Sequence, residues 1–257
     1  MRLRETRAAS FSPALPMPWP ALANHGLRFR RGQTSLTVAA PGAGKSQFWA
    51  NYAQRIKVPT LFWSADTDQT DVTSRTLAMW LGMGVAEVED KLHDNYWRSW
   101  MFEQLGDRAN HIEWVFDSSI TGKHLGERLN AFAEVRGEYP HLVVLDNLSN
   151  AIANPADEYS EVKQVMTQVQ VLARATNAHI AVLHHAKGIY DDGTKPIPQS
   201  GGIQNPFKTV EVGLTMHRPD EGRLGVNVVK NRGGKSDPGA RFPVYMQVDF
   251  AQALVKT

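Results

Sequence analysis

The chain has 257 residues, 42% of them apolar, with a formal net charge of +2 and no cysteine. That length supplies one sizeable core, and a single α/β domain is the simpler reading. Disulfides, thiolate metal sites and cysteine nucleophiles are excluded, and no run approaches the ~20 apolar residues that a bilayer-spanning helix needs. The N-terminal MRLRETRAAS is not followed by an apolar stretch of the secretory type, so the protein is expected to be soluble, cytoplasmic and free of membrane contacts. Charge is uneven: residues 1–31 carry six arginines against Glu5, residues 32–186 carry 12 basic and 18 acidic side chains, and residues 187–257 return to +3. Basic ends around an acidic middle are compatible with a polyanionic partner, and equally with ordinary solvated charge.

Residues 1–25, with Pro13, Pro16, Pro18 and Pro20, read as an extended arm without a core of its own, which Trp19 and Leu22 could anchor to a neighbouring surface. Residues 26–257 read as one domain. A turn at Gly32 feeds a strand at Ser35 to Ala39, and PGAGKS leads directly into a helix from about Lys45 to Arg55. Strand, glycine-rich loop and helix, in that order, make a phosphate-binding loop. Pro41, Gly42, Ala43, Gly44, Lys45, Ser46 and Gln47 are therefore the expected ATP contacts. The glycines let backbone N–H groups converge on an anion. Lys45 reaches the β- and γ-phosphates, the Ser46 hydroxyl holds Mg²⁺, and the helix adds the positive end of its dipole.

A second strand, Thr60 to Ser64, ends in SADTD and places Asp66 and Asp68 just past its carboxyl end, the edge where ligands bind in open α/β sheets. A helix opens at Thr70 or Asp71 and closes at Gly82 or Gly84. Residues 85–105 read as helical, with Trp97, Trp100 and Phe102 forming an aromatic stripe of core or subunit-contact type. A third strand at His111 to Phe116 precedes a helix over Gly122 to Arg136. LVVLD, Leu142 to Asp146, is a buried central strand that delivers Asp146 to the same edge, where a phosphate-loop enzyme needs a carboxylate for Mg²⁺. A helix over Glu158 to Thr176 leads to a strand at His179 to Leu183, followed by His184 and His185, either a structural pair or a sensor of the γ-phosphate. Residues 187–202 have the glycine, proline and charge content of a mobile loop. The tail alternates strands (Thr209 to Met216, Leu224 to Val229, Phe242 to Asp249) with turns, and VVKNRGGKS puts Lys230 and Arg232 at a strand end.

Taken together, AAPGAGKS, LVVLDNLSN, LHHAKG, the QSGGIQ segment and VVKNRGG resemble the RecA-type P-loop ATPases, and within them the ATPase domain of DnaB-type and RepA-type replicative helicases. The resemblance runs from about Gly26 to Phe250. It implies a RecA-like α/β core: a mostly parallel central sheet with helices on both faces and a C-terminal antiparallel extension. It implies catalytic roles for Lys45, Asp66, Asp146, His185, Lys230 and Arg232. Ser46 and Asp146 would hold Mg²⁺, and Asp66 would stand where the family has a glutamate that polarises the attacking water, with Asp68 as a substitute. His184 or His185 would be the polar sensor, and Lys230 and Arg232 would reach the ATP of the next subunit.

The implied activity is that of an ATP-dependent DNA helicase, a homo-oligomeric, hexameric ring translocating on single-stranded DNA or at a fork. Lys187, Lys195, Gly201 and Gly202, on loops after the sheet, would grip phosphates without reading bases. A primase or loader is the implied further partner. With about 25 residues before the core, the separate domain that makes that contact in the family is expected to be missing or supplied by another protein. Two alternatives stand beside the motor: a recombinase-like or loader-like ATPase that holds an assembly on DNA without processive unwinding, and a nuclease with Asp191, Asp192 and the histidines as metal ligands.

Overall fold

The computed structural model describes residues 13–118, 121–151, 158–186, 188–201 and 206–256. The elements in chain order are α1 (Pro20–Asn24), β1 (Thr34–Ala39), α2 (Lys45–Ile56), β2 (Thr60–Ser64), α3 (Gln69–Leu81), α4 (Val85–Leu92), α5 (Asn95–Leu105), β3 (Ile112–Val115), α6 (Gly122–Arg136), β4 (Leu142–Asp146), α7 (Glu158–Thr176), β5 (His179–His185), β6 (Val212–Asp220), β7 (Arg223–Asn231), β8 (Val244–Asp249) and β9 (Leu254–Lys256). They build one nine-stranded sheet in the order β3-β2-β4-β5-β1-β6-β7-β8-β9. Strands β3 to β6 in that order are parallel, and β7, β8 and β9 add on antiparallel. This is the expected architecture of a parallel core with an antiparallel C-terminal extension.

The central strands are buried on both faces, as parallel strands covered by helices must be. In β4, Leu142 and Val144 face the layer of α1 and α2, whereas Val143 and Leu145 face that of α6 and α7. A third, smaller apolar cluster of Leu77, Ala78, Val88 and Met101 ties α3, α4 and α5 together beside the sheet. No helix among the described residues is long and apolar enough to cross a membrane.

Four expectations change. Residues 13–25 are not a coreless arm: Leu15, Trp19 and Leu22 are 4%, 2% and 0% exposed and belong to the same core as α2. The Trp19 and Phe48 rings pack at a tilt with centroids 4.7 Å apart, and α1 interrupts the extended stretch. Burying two such side chains stabilises the docked state by about 1.5–3 kcal/mol each, enough to overcome the prolines' preference for an extended chain. Residues 1–12 lie outside the described residues. Second, α3 is capped by Asp68, whose carboxylate accepts the Asp71 N–H at 2.9 Å, and not by Thr70 or Asp71. Third, residues 85–105 form two helices, because Asp94 caps a new one by accepting the N–H groups of Tyr96 and Trp97. Fourth, β5 continues through His184 and His185, pairing with Val38 and Ala39 of β1.

Candidate nucleotide-binding site

The carboxyl edge of the parallel strands gathers the chemistry. From Ala39 the chain turns through Pro41 and Gly42, which are exposed, and the buried Ala43, into α2. Gly42 and Gly44 have φ of 71° and 98°, the left-handed region that glycine enters freely. At Gly44 a Cβ would also stand 3.1 Å from the Phe250 ring, so the loop and that ring exclude a side chain jointly. The first amides of α2 have no intrahelical acceptor, and its dipole favours an anion at that end.

Lys45 is 5% exposed, and burial holds its pKa below the usual lysine range, opposed by the charges of Asp146 and Asp66. Asp146 is 3% exposed, and burial pushes its carboxyl up, opposed by a hydrogen bond from Ser46 and by the Lys45 charge. For each of them burial outweighs the counter-charge that the other supplies, and a phosphate beside Lys45 and a divalent cation beside Asp146 would add to it. The Ser46 hydroxyl already lies against Asp146, so the pair fits Mg²⁺, a cation commonly held by few protein oxygens plus substrate phosphates.

Asn147, immediately after β4, joins this site to Asp66. Its amide nitrogen donates to Asp66 Oδ2 and lies 3.0 Å from His185 Nε2, while its oxygen accepts the Ser149 N–H at 2.8 Å. On the other side of the same imidazole, Lys45 Nζ is 3.0 Å from Nδ1. A neutral imidazole has one N–H and one acceptor nitrogen, whereas the lysine ammonium and this amide nitrogen only donate. The ring can accept from one of them at a time, so an anion that draws Lys45 away resolves the conflict. His185 Nε2 is also 3.9 Å from Asp66 Oδ2.

The fold brings the expected Lys45, Ser46, Asp66, Asp146 and His185 to one place, with Gln47 beside them on α2. Asn147 is not announced by the sequence, because its partners are 81 and 38 residues away. Asp68 is corrected as a substitute for Asp66, since its carboxylate is engaged at the start of α3. A second omission is the aromatic wall. A cleft lined by Gly42, Gly44, Lys45, Ser46, Gln47 and Arg75 is closed by Phe250, and Arg218 stacks over that ring at 4.3 Å. A flat, electron-rich ring with a guanidinium on it suits an aromatic base.

Lys230 and Arg232 are elsewhere. β7 runs antiparallel to β6, so Lys230 pairs with Gly213 at the amino end of the parallel strands, opposite the phosphate loop. By register Lys230 is level with Leu36 and Arg232 with Thr34, about 10 and 17 Å short of Ala39 at ~3.3 Å per residue and two strands to the side, too far for either side chain to serve its own protomer's site. Lys230 Nζ donates to the carbonyls of Phe207 and Lys208, at 2.5 and 3.0 Å, and Arg232 pairs with Glu211 at 3.8 Å.

Of the four residues expected to grip DNA, Lys187 and Gly202 lie outside the described residues. Lys195 is exposed but pairs with Asp192 at 3.9 Å. Gly201 is a correction: its N–H donates to the Pro198 carbonyl and its Cα faces Tyr190 and Ile197, so it has no amide to offer a phosphate. The expected mobile loop is pinned between Gly188 and Gly201, where Gly193 O accepts the Arg218 N–H and Ile197 O accepts the Thr215 hydroxyl. The nuclease ligands do not assemble: Asp192 binds Thr194, and no group of three His, Asp or Glu side chains suited to a metal exists among the described residues.

The sequence pattern of the AAA_25 family, an AAA domain, matches residues 24–187. The Gene 65 protein of Mycobacterium phage L5 is 33% identical over 234 residues, 88% of this chain and 87% of that protein. The Gene 65 protein of Mycobacterium phage D29 is 34% identical over 211 residues, 79% and 90% of the two chains. Among solved structures, an isolated ATPase domain superposes with a TM-score of 0.80 at 13% identity, covering 98% of this chain and 94% of its own. A DnaB-like replicative helicase, solved for its interactions with primase, gives 0.79 at 12% identity, over 99% of this chain and 64% of its own. The fold is that of the RecA-type P-loop ATPases.

Proposed function

We propose, from the premise that this chain belongs to the AAA domain family, that it is an ATP-hydrolysing DNA motor of the DnaB-like helicase kind, working as an oligomeric ring on single-stranded DNA. The observation that carries the reading is the division of charged groups between two edges of one sheet. Lys45, Asp66, Asp146, Asn147 and His185 gather at the carboxyl edge, and Lys230 and Arg232 lie at the other. A basic pair directed away from its own site is what a ring of shared sites requires.

In this reading the amino end of α2 and Lys45 bind the phosphates, and Lys45 leaves His185 to do so. Ser46 and Asp146 would hold Mg²⁺, which neutralises charge on the phosphates when bound. Asp66, fixed by Asn147, accepts a hydrogen bond from the attacking water. The water oxygen bonds to the γ-phosphorus as the bond to ADP breaks, its proton passing through Asp66 to the released phosphate, and Arg232 of the next subunit stabilises the charge on the transferring group. Phe250 and Arg218 hold the base. With the imidazole released from Lys45, His185 takes up the Asn147 donor fully, linking phosphate occupancy to Asp66. The DnaB-like relative is described with primase, and a primase or loader is the corresponding partner here.

The test is ATP turnover with and without single-stranded DNA, measured together with assembly size. DNA-stimulated turnover by a ring is expected. Turnover indifferent to DNA would sink the motor reading, and DNA-stimulated turnover with no strand separation would favour the loader-like alternative, to which the short reach of Asp66 also belongs.

A further inference from the structure

Arg75 has no part in the chemistry described above, yet its position is unusual for a surface arginine. It lies two turns along α3, the helix that begins three residues after Asp66. It lines the cleft over the phosphate loop together with Gly42, Gly44, Lys45, Ser46 and Gln47. It also lines a second cavity, between α2 and α3, whose walls include Ser46, Ser64 and Asp146. The guanidinium thus stands where the loop's cleft meets the metal-binding side of the site, and Lys45 is the other cation on the cleft wall. The charge of Arg75 is felt at Asp146.

The ion pair Arg75 makes is a weak one. Asp71, one turn earlier on the same helix, is 3.7 Å away, and the two side chains are 46% and 47% exposed. An exposed pair of this kind contributes little and exchanges readily. A guanidinium prefers the forked, charge-assisted hydrogen bonds that a phosphate offers.

We propose that Arg75 is a phosphate ligand supplied by the same protomer, which exchanges Asp71 for oxygens of a nucleoside triphosphate on the metal side of the site and so distinguishes triphosphate from diphosphate. The proposal rests on the reading of the cleft as an ATP site. Drawing Arg75 toward the phosphates pulls α3 with it, and the Asp66 to Asp68 segment at the start of that helix follows. Triphosphate would then be sensed through α3 as well as through His185.

The test is equilibrium binding of fluorescent ATP-type and ADP-type nucleotides, with Mg²⁺, to the full chain and to Arg75→Ala, Arg75→Lys, Asp71→Asn and Lys45→Ala. Arg75→Ala is expected to weaken triphosphate binding about tenfold, the low end of a charge-assisted hydrogen bond, and to leave diphosphate binding within about twofold. Arg75→Lys should recover part of the loss, and Asp71→Asn should tighten triphosphate binding by freeing the guanidinium. Equal loss for both nucleotides, or no loss for either, in a variant whose circular dichroism matches wild type would overturn the assignment of Arg75 alone. Should Arg75→Ala fail to fold, unchanged triphosphate binding by both Arg75→Lys and Asp71→Asn would overturn it. Failure of the unmodified chain to bind either nucleotide, or unweakened binding by Lys45→Ala, would instead overturn the ATP reading on which the proposal stands.

Discussion

Replacing Asn147 with alanine separates positioning from binding at this site. The side chain is 1% exposed and makes three contacts: its amide nitrogen to Asp66 and His185, and its oxygen to the Ser149 N–H. It lines neither the phosphate-loop cleft nor the neighbouring cavity, so nucleotide affinity should barely change. The hydrogen bond to Asp66 is charge-assisted, worth ~1.5–3 kcal/mol when enclosed, but the Asp66 side chain is 47% exposed and solvent competes for it, so the low end applies. A carboxylate released by that amount samples positions on the order of 1 Å away, and displacement on that scale costs about 10²-fold in rate. Asn147→Ala is therefore expected to lower kcat for ATP by about 10- to 100-fold, with KM within about threefold of wild type, since what is lost is used in the transition state and not in ground-state binding. Steady-state ATPase kinetics at saturating single-stranded DNA measure both. An unchanged kcat, or a rise in KM that accounts for the whole effect, would refute the role given to Asn147.

Phe250→Ala should raise KM for ATP about tenfold, as removal of a stacking ring costs ~1–3 kcal/mol, while kcat changes little; a fall in kcat at constant KM would contradict its assignment to the base. Trp19→Ala should destabilise the domain by ~3–5 kcal/mol in urea unfolding, because this side chain is 2% exposed within the core cluster of α2, and a loss below about 1 kcal/mol would return residues 13–25 to the status of a detachable arm. His179, buried between Ser35 Oγ at 2.9 Å and Arg30 O at 3.0 Å, has its pKa lowered by burial from 6.5 to about 4. Between those values the unfolded chain binds the proton that the folded one refuses, so this stability is present above pH 6.5 and is lost as pH falls toward 4, with ~2 kcal/mol gone by pH 5. Urea midpoints at pH 7.5 and pH 5 should thus converge in His179→Gln relative to wild type; an unchanged pH dependence would exclude His179 as its source.

The core strands and the phosphate loop were legible because their signals are local. GAGKS after an apolar run permits few structures, and LVVLD needs only its own residues to be read as a buried strand ending in an acid. What escaped depends on pairs far apart in the chain. Phe250 reaches Gly44 only because the two strands between β6 and it, β7 and β8, fold back antiparallel, which no spacing near residue 250 announces. Asn147 stood next to a recognised acid, but its partners Asp66 and His185 arrive on other strands. The prolines before Trp19 carry an extended-chain signal that the burial of Trp19 and Leu22 overrides. Lys230 and Arg232 were read as a pair at a strand end, and the strand order then decided which end.

That edge assignment carries the central claim, that each site is completed by the opposite edge of the next subunit. Mixing Arg232→Ala chains with Lys45→Ala chains, each lacking one half of the site, and following ATP turnover on single-stranded DNA, tests it most directly. If each site borrows Arg232, a chain that keeps Lys45 regains a complete site beside a chain that keeps Arg232, so the mixture should turn over ATP that neither variant turns over alone. A mixture no more active than its two components would mean that each site depends on its own chain's Arg232, and would contradict the account.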